Sequence, residues 1–583
     1  MNALNRYLNG FVVIRSLPRR LRLLLPVALL FSIAAGVSAY AIVSSPTQLA
    51  IVAQTHANTF THTPQNVYTD LIAQGRQRDA FIKAVFVGDT LFATHFNALD
   101  GGGANVGNGE RYTRTPRADL LGEFQWGTHR PFRATGPNAA ACADCHNTPA
   151  EDGAGQAVAN VHRDPEHSGL LGHFIQRNTP HIMAMGPVQK LAEEMTADLQ
   201  GIANAAKAAC VDPGCSVTKA LSSKGISFGS LTFTRVVVGD PPPSCTPADL
   251  VPFIDEVDCN AGLGIDTTAV TGVAVDLVVR PFQWKGAVAF IRDFNRDASH
   301  NELGMGPVEV VGDDIDNDFD GVKNELLFGD ETGLAVYAAA LPRPTSRQEI
   351  NALHNRFPNR ADLVLDPPFT SAENASINRG SAKFAAIGCA SCHIPSLTVN
   401  NVTFTEPSQN INFRDKLMPA GQDPVPRNLD PARAVRFNLT RDTPFNNILD
   451  PNNPNNVLVN FGALETGSRA GTGIARVYGD LKRHDMGPGL AEQIDELKAS
   501  KSSASTWLTE NLWGVGSTAP YLHDGRATTL SEAILEHGGE GQAARDAFIA
   551  LSAADKTDVI TFLNNLIIFR IEDRLEELAA AIH

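Results

Sequence analysis

Cys142-Ala143-Asp144-Cys145-His146 and Cys389-Ala390-Ser391-Cys392-His393 are two copies of CxxCH, the spacing that fixes haem c covalently. Two thiols on one turn can add to the two vinyl groups of a haem while the following imidazole reaches the iron from below. A zinc site would need both CxxC pairs to share one ion, and the pairs stand far apart at 142/145 and 389/392. Redox dithiols are the other reading, and two pairs each followed by His disfavour it. Two covalently bound haem c groups are therefore expected, held by Cys142, Cys145 and His146 and by Cys389, Cys392 and His393.

Around these motifs the chain reads as a leader over residues 1–45, an N-terminal haem c domain over 46–375 and a C-terminal haem c domain over 376–583. The expected fold is mainly α: two cytochrome c-like domains with long loops. Ile377, Ala382, Phe384, Ala385 and Ile387 predict an amphipathic helix over 375–387 that runs into Gly388-Cys389. Residues 196–275 turn Cys-, Pro- and Gly-rich, with a β-branched stretch at Thr232–Val238, and read as an insertion with a short hairpin. Residues 400–460, rich in Asn, Pro and Asp, read as irregular loop covering the second haem.

Four of the eight cysteines lie outside the motifs, at Cys210, Cys215, Cys245 and Cys259. Two disulfides are expected in an oxidising compartment, with three pairings open; Cys210–Cys215 and Cys245–Cys259 are preferred because both loops are short. The compartment is argued from Arg15, Arg19, Arg20 and Arg22 ahead of an apolar run from Leu23 to Val43, with small residues at Val37-Ser38-Ala39. This predicts secretion across an inner membrane into a periplasm. About 20 apolar residues also suffice for a span, so an uncleaved N-terminal anchor stays open as the one membrane contact. The 583 residues carry 48 Lys and Arg against 63 Asp and Glu, a net charge of −15. That balance argues against nucleic acid and favours a basic or neutral electron-transfer partner.

One further motif is local. Asp316-Asn317-Asp318-Phe319-Asp320-Gly321 reproduces the DxDxDG start of an EF-hand loop, with Asp316, Asp318 and Asp320 as calcium ligands. Leu327 stands where the closing Glu would be, leaving Glu325 or Asp330 to complete the shell; a solvated acidic loop is the plain alternative.

Several stretches together resemble the bacterial di-haem cytochrome c peroxidase and MauG superfamily, and within it the di-haem oxidoreductase (thiol oxidoreductase-like) branch. They are Arg177-Asn178-Thr179-Pro180, Pro281-Phe282-Gln283-Trp284-Lys285-Gly286, Asn301-Glu302-Leu303-Gly304, the second CxxCH, and above all Thr518-Ala519-Pro520-Tyr521-Leu522-His523-Asp524-Gly525-Arg526. Residues 196–275 have no counterpart in the shorter peroxidases. The resemblance implies a reactive N-terminal haem on His146, open to hydrogen peroxide or dioxygen, and an electron-transferring C-terminal haem on His393. The second axial ligand of the latter, Met in peroxidases and Tyr in MauG, falls here on His537, which implies a bis-His haem of lower potential. Helix capping is the bland reading of His537; His484 and Met486 are reserve ligands.

By the same resemblance Trp284 is the tryptophan between the haems, against the alternative of a core aromatic. Glu302 is the distal glutamate that moves protons during O–O cleavage, against a solvated carboxylate. The companion distal glutamine has no evident counterpart; Asp293 or Asn295 would replace it. Asn178 with the Thr518 and Pro520 carbonyls would hold an interdomain calcium. A removable sixth ligand of the first haem is sought among His162, His167, His173 and His181, with His173 preferred. The implied activity is that of a cytochrome c peroxidase-like enzyme supplied by a small electron-donor protein or small-molecule reductant. The competing readings are a non-enzymatic di-haem electron carrier and a relative of the rubber oxygenases.

Overall fold

The computed structural model describes residues 61–571 except 98, 104–137, 149–152, 154–155, 164–173, 238–252, 319–320 and 451–452. The leader, His167, His173, Cys245 and Asp320 lie outside the described residues. In chain order the helices used below are α1 (Asn66–Ala73), α2 (Gln77–Ala93), α3 (Met185–Ala209), α4 (Ile291–Asn301), α5 (Phe328–Ala340), α6 (Ser371–Ala386), α7 (Leu530–Leu535) and α8 (Ala553–Asn564).

Helix α5 is buried at every position, so it has no solvent face and forms the axis of the larger core. It meets α2 backbone to backbone: a Cβ on Gly88 would overlap the Gly333 carbonyl, and one on Gly333 would sit 2.8 Å from the Val87 side chain. Helix α3 presents Met195, Leu199, Ala203 and Ala206 as a buried stripe at helical spacing and ends at Cys210, which is bonded to Cys215. The insertion then builds an antiparallel sheet of β3 (Ser216–Ser223), β4 (Ile226–Arg235) and β5 (Leu263–Asp266). Phe228, Leu231 and Phe233 of β4 are buried in the larger core. Cys259 is also disulfide-bonded. Upstream, β1 (Gln156–Arg163) pairs antiparallel with β2 (Ile175–Thr179).

A second core gathers Ile377 and Phe384 of α6, Leu530 of α7, and Val559, Phe562 and Leu563 of α8. Helix α6 is capped by the Thr370 hydroxyl, which accepts from Glu373 N at 3.0 Å. It ends one residue short of the predicted stop, and Gly388, at φ +94°, reverses the chain into the Cys389 turn. Helices α6 and α8 touch at Gly380, where a Cβ would overlap the Asp558 carbonyl. Gly→Ala within a free helix stabilises; here Gly380→Ala is expected to cost about 1–3 kcal/mol by overpacking, read as a lower urea midpoint at unchanged slope.

The mainly-α expectation is overturned. Sixteen short strands pair into seven small sheets among the described residues. The reason lies in residues 397–508, where Leu397–Val399, Thr403–Glu406, Val435–Asn438 and their neighbours are too short to show a period of two, yet pair locally to satisfy their backbone. In the 400–460 stretch, Phe404, Phe413, Phe437 and Phe445 enter the larger core around α5, and no described residue of it belongs to the core that holds Cys389. No helix among the described residues is long and apolar enough to cross a membrane.

Candidate functional site

The turn Cys142–Asp144 is closed by the Asp144 carboxylate, which accepts from Ala140 N at 2.8 Å and Ala141 N at 3.2 Å. Cys142, Cys145 and His146 line a cavity of about 310 Å³, shared with Asn178, Trp284, Asn295 and Glu302. The first CxxCH and the predicted distal residues, distant in sequence, thus meet in one space. Burial pushes the Cys142 thiol up to about 12 and the Cys389 thiol up to about 11, opposite to the depressed values of redox dithiols or thiolate ligands. Burial also pulls His146 down to about 4, against the Pro180 carbonyl and with help from His181, leaving the neutral imidazole that binds iron.

Glu302 follows α4 and is clasped by the segment ahead of the first motif. Its carbonyl accepts from Asn138 N at 2.9 Å and Ala139 N at 3.0 Å, and its Oε2 accepts from Asn138 Nδ2 at 2.5 Å. Of the two replacements considered for the distal glutamine, Asp293 is bound to Arg296 at 2.5 Å, whereas Asn295 lines the cavity with a buried Nδ2 that has no partner. Trp284 follows Gln283, which is held at φ +64°, a conformation non-glycine residues adopt only under external constraint. The indole donates to the Asn178 carbonyl at 2.8 Å, and the Trp284 carbonyl accepts from Leu508 N at 2.9 Å.

Asn178 on β2 ties the first motif's surroundings to the Tyr-Leu-His-Asp-Gly segment. Its N donates to the His523 carbonyl at 2.6 Å and its Nδ2 to the Pro520 carbonyl at 2.7 Å, while Oδ1 is buried without a partner. A half-turn of this amide would aim Oδ1 and the Pro520 carbonyl at one point, the oxygen donors a hard cation takes. The His523 ring stacks on Trp507 at 3.8 Å and 19°. Lys285 Nζ lies 4.0 Å and the Arg177 guanidinium 5.4 Å from the Trp507 ring centre. This cation-flanked stack was not readable from the sequence; Lys285, beside Trp284, was its one local signal.

The acidic loop is only partly organised as predicted. Asp316 Oδ2 accepts from Gly321 N at 3.0 Å, closing the turn. Asn317 and Asp318 are buried, and so is Glu325, whose Oε2 accepts from Gly306 N at 2.6 Å. Asp330 is committed elsewhere, to Thr63 N, Leu327 N and His62. Asp316, Asp318 and Glu325 do not converge as a three-group cluster among the described residues.

At the second motif, His393 Nδ1 donates to the Tyr478 carbonyl at 3.1 Å and His537 Nδ1 to the Ala533 carbonyl at 2.8 Å, which leaves the Nε2 lone pair of each ring available to a metal. Their ring centres lie 6.4 Å apart. Two imidazoles bound on opposite sides of one metal, at about 2 Å per bond, have centres roughly 6 Å apart. The residues therefore fit a haem between two histidines. Gly541 leaves room there: a Cβ would crowd His537 at 3.3 Å and Met486 at 3.1 Å. His484 is not the ligand, because its Nε2 faces Asp480 at 2.9 Å and its Nδ1 faces Glu540 at 2.8 Å. Burial alone would lower its pKa, but its contacts with Asp480, Cys392 and Glu540 raise it, and the two carboxylates hold the ring in place beside the second site. Cys392, Asp480 and His484 also bring ligand atoms within 4.8 Å of one another; thioether formation at Cys392 would remove the thiolate a metal needs.

Of the remaining sixth-ligand candidates, His181 is placed against the Trp513 carbonyl at 2.8 Å, and burial lowers its pKa to about 4. Residues 470–566 match the family model described as "Di-haem oxidoreductase, putative peroxidase". The matched segment contains Trp507, Thr518, Pro520, His523 and His537. No curated protein matches the chain.

Proposed function

We propose, for a chain whose residues 470–566 place it in the di-haem oxidoreductase superfamily, that it is an exported peroxidase-type enzyme carrying two haem c groups. The observation that carries this reading is the cavity shared by the first CxxCH, Trp284, Asn295 and Glu302. Haem bound there supplies a redox-active iron, and peroxide or dioxygen is the small oxidant such a cavity admits. Glu302 Oε2, oriented by Asn138, accepts the proton of the inner peroxide oxygen and passes it to the outer one, so that water leaves. Asn295 offers its unpartnered amide to the same substrate. Trp284, held at both its indole and its carbonyl, shortens the gap towards the second site. Two electrons and two protons taken from solvent complete reduction to two waters. The electrons come from a small donor protein or small reductant, and export rests on the leader.

Calcium at Asn178, Pro520 and Thr518 would lock β2 to the segment around His523, directly behind Trp284. A further ion at Asp316, Asp318 and Asp320 is proposed as a stabiliser of the loop that follows Glu302. The test is hydrogen peroxide consumption by the holoprotein with a reduced donor, before and after chelation. Turnover that falls at least tenfold on chelation and returns with calcium supports the reading. With both haems attached, absence of any peroxide reaction returns the chain to an electron carrier.

A further inference from the structure

Helix α5 carries Glu331, Leu334 and Ala338 on one stripe, at the spacing that aligns side chains along a helix. Leu334 and Ala338 line the cavity of the first site; Glu331 stands one turn further on, near enough to Cys142 to raise its pKa. Glu331 is fully buried, and neither carboxyl oxygen has a hydrogen-bond partner. The cations beside it are already used. Arg292 gives its five N–H groups to Glu309, Glu406, Thr332 Oγ1 and the Phe328 carbonyl. Arg296 is bound to Glu309, Asp293 and Asp415.

We propose that Glu331 is the proton-loading group of the first haem site, a neutral acid that releases its proton when the neighbouring iron loses an electron and recovers it on reduction. The inference rests on the haem reading above. The step balances: one electron leaves to a one-electron acceptor, the second haem in the enzyme or a redox mediator in a titration, the Glu331 O–H bond breaks, the proton passes to solvent, and the local net charge is unchanged. A buried carboxylate with no hydrogen-bonded cation of its own is disfavoured by desolvation, which Arg292 and Arg296, committed to other carboxylates, offset only in part; a positive charge gained at the iron would add to that compensation. Burial first, then Glu309 and Asp330, raise the Glu331 pKa to about 8, with Arg292 and Arg296 opposing.

The charged groups around it come from every packed element. Those that act on it are Glu309 on Val308–Val311, Arg292 and Arg296 on α4, and Asp330, the partner of His62, at the start of α5; the other elements packed on α5 carry Glu406 on Thr403–Glu406 and the Lys190–Glu193 pair on α3. The buried residues of α2, which meets α5 at Gly88 and Gly333, are all uncharged. Glu406, raised to about 7 by burial, keeps a bond to Arg292 at 3.1 Å, which Glu331 lacks.

The test is the midpoint potential of the first haem in the holoprotein between pH 6 and 10, followed in its own optical bands. Because the oxidised iron favours the carboxylate, the wild-type potential falls as pH rises through this window, by up to about 59 mV for each tenfold change in proton activity. Glu331→Gln, isosteric and always neutral, is expected to match the wild type at pH 6 and to lose the slope above it. A flat wild-type profile, or a slope that survives in Glu331→Gln, overturns the proposal, and the wild-type profile decides alone if the variant does not fold. Haem content per chain is measured on the same samples: fewer than two attached haems overturns the haem reading itself, whereas two haems with a flat profile overturns only this inference.

Discussion

His537→Ala is expected to abolish the low-spin bis-imidazole signal of the second haem while both haems remain covalently attached. The geometry leaves His537 Nε2 as the only free nitrogen of a ring centred 6.4 Å from that of His393. The capping reading and the ligand reading of this residue are compatible in one arrangement. Nδ1–H satisfies the Ala533 carbonyl at the end of α7, one of the orphan acceptors every helix end leaves, and so fixes a ring whose centre lies 6.4 Å from that of His393. Alanine loses both functions. Because imidazole favours ferric iron, the second haem's potential is expected to rise and peroxide turnover through it to collapse. His537→Met separates ligation from capping: it returns a six-coordinate iron at higher potential. A low-spin spectrum unchanged in His537→Ala would pass the ligand role to Met486.

Glu302→Gln is the second large effect. Glutamine keeps the shape and can still accept the Asn138 amide hydrogen bond, but it cannot carry a proton. The loss expected for a missing general acid–base is about 10²–10⁴ in kcat, roughly 3–5 kcal/mol of barrier, with the optical spectra of both haems intact and peroxide KM little changed. Asn138→Ala should follow in the same direction more weakly, since it removes only the orientation of Oε2. Wild-type turnover in Glu302→Gln would assign the proton transfer to another group.

What the sequence disclosed here was local. The CxxCH turns, the glycine that reverses α6 into Cys389, the Cys210–Cys215 link and the β3–β4 hairpin are each written within a few residues. His537 and Trp284 were singled out through a longer pattern; the structure sets the His537 ring centre 6.4 Å from that of His393 and Trp284 in the cavity of the first CxxCH. What stayed hidden depends on distant partners. The Asn138–Glu302 clasp joins residues 164 positions apart, and the Trp507–His523 stack is made by a residue of Thr506–Leu508, a strand placed by its pairing with Arg483–Asp485. The return of residues 397–481 onto the α5 core, which made the fold less helical than expected, is likewise spread over short strands that no single window reveals. Glu331 gave no signal of its own: in sequence it is one acid among neighbours, and only its burial and the saturation of Arg292 set it apart.

The most direct test of a two-haem division of labour is electron paramagnetic resonance of the calcium-loaded holoprotein, ferric and half-reduced, before and after mixing with hydrogen peroxide. A low-spin bis-histidine signal that depends on His537, beside a second haem signal that peroxide consumes, is the predicted result; two low-spin haems that ignore peroxide in both redox states would contradict it.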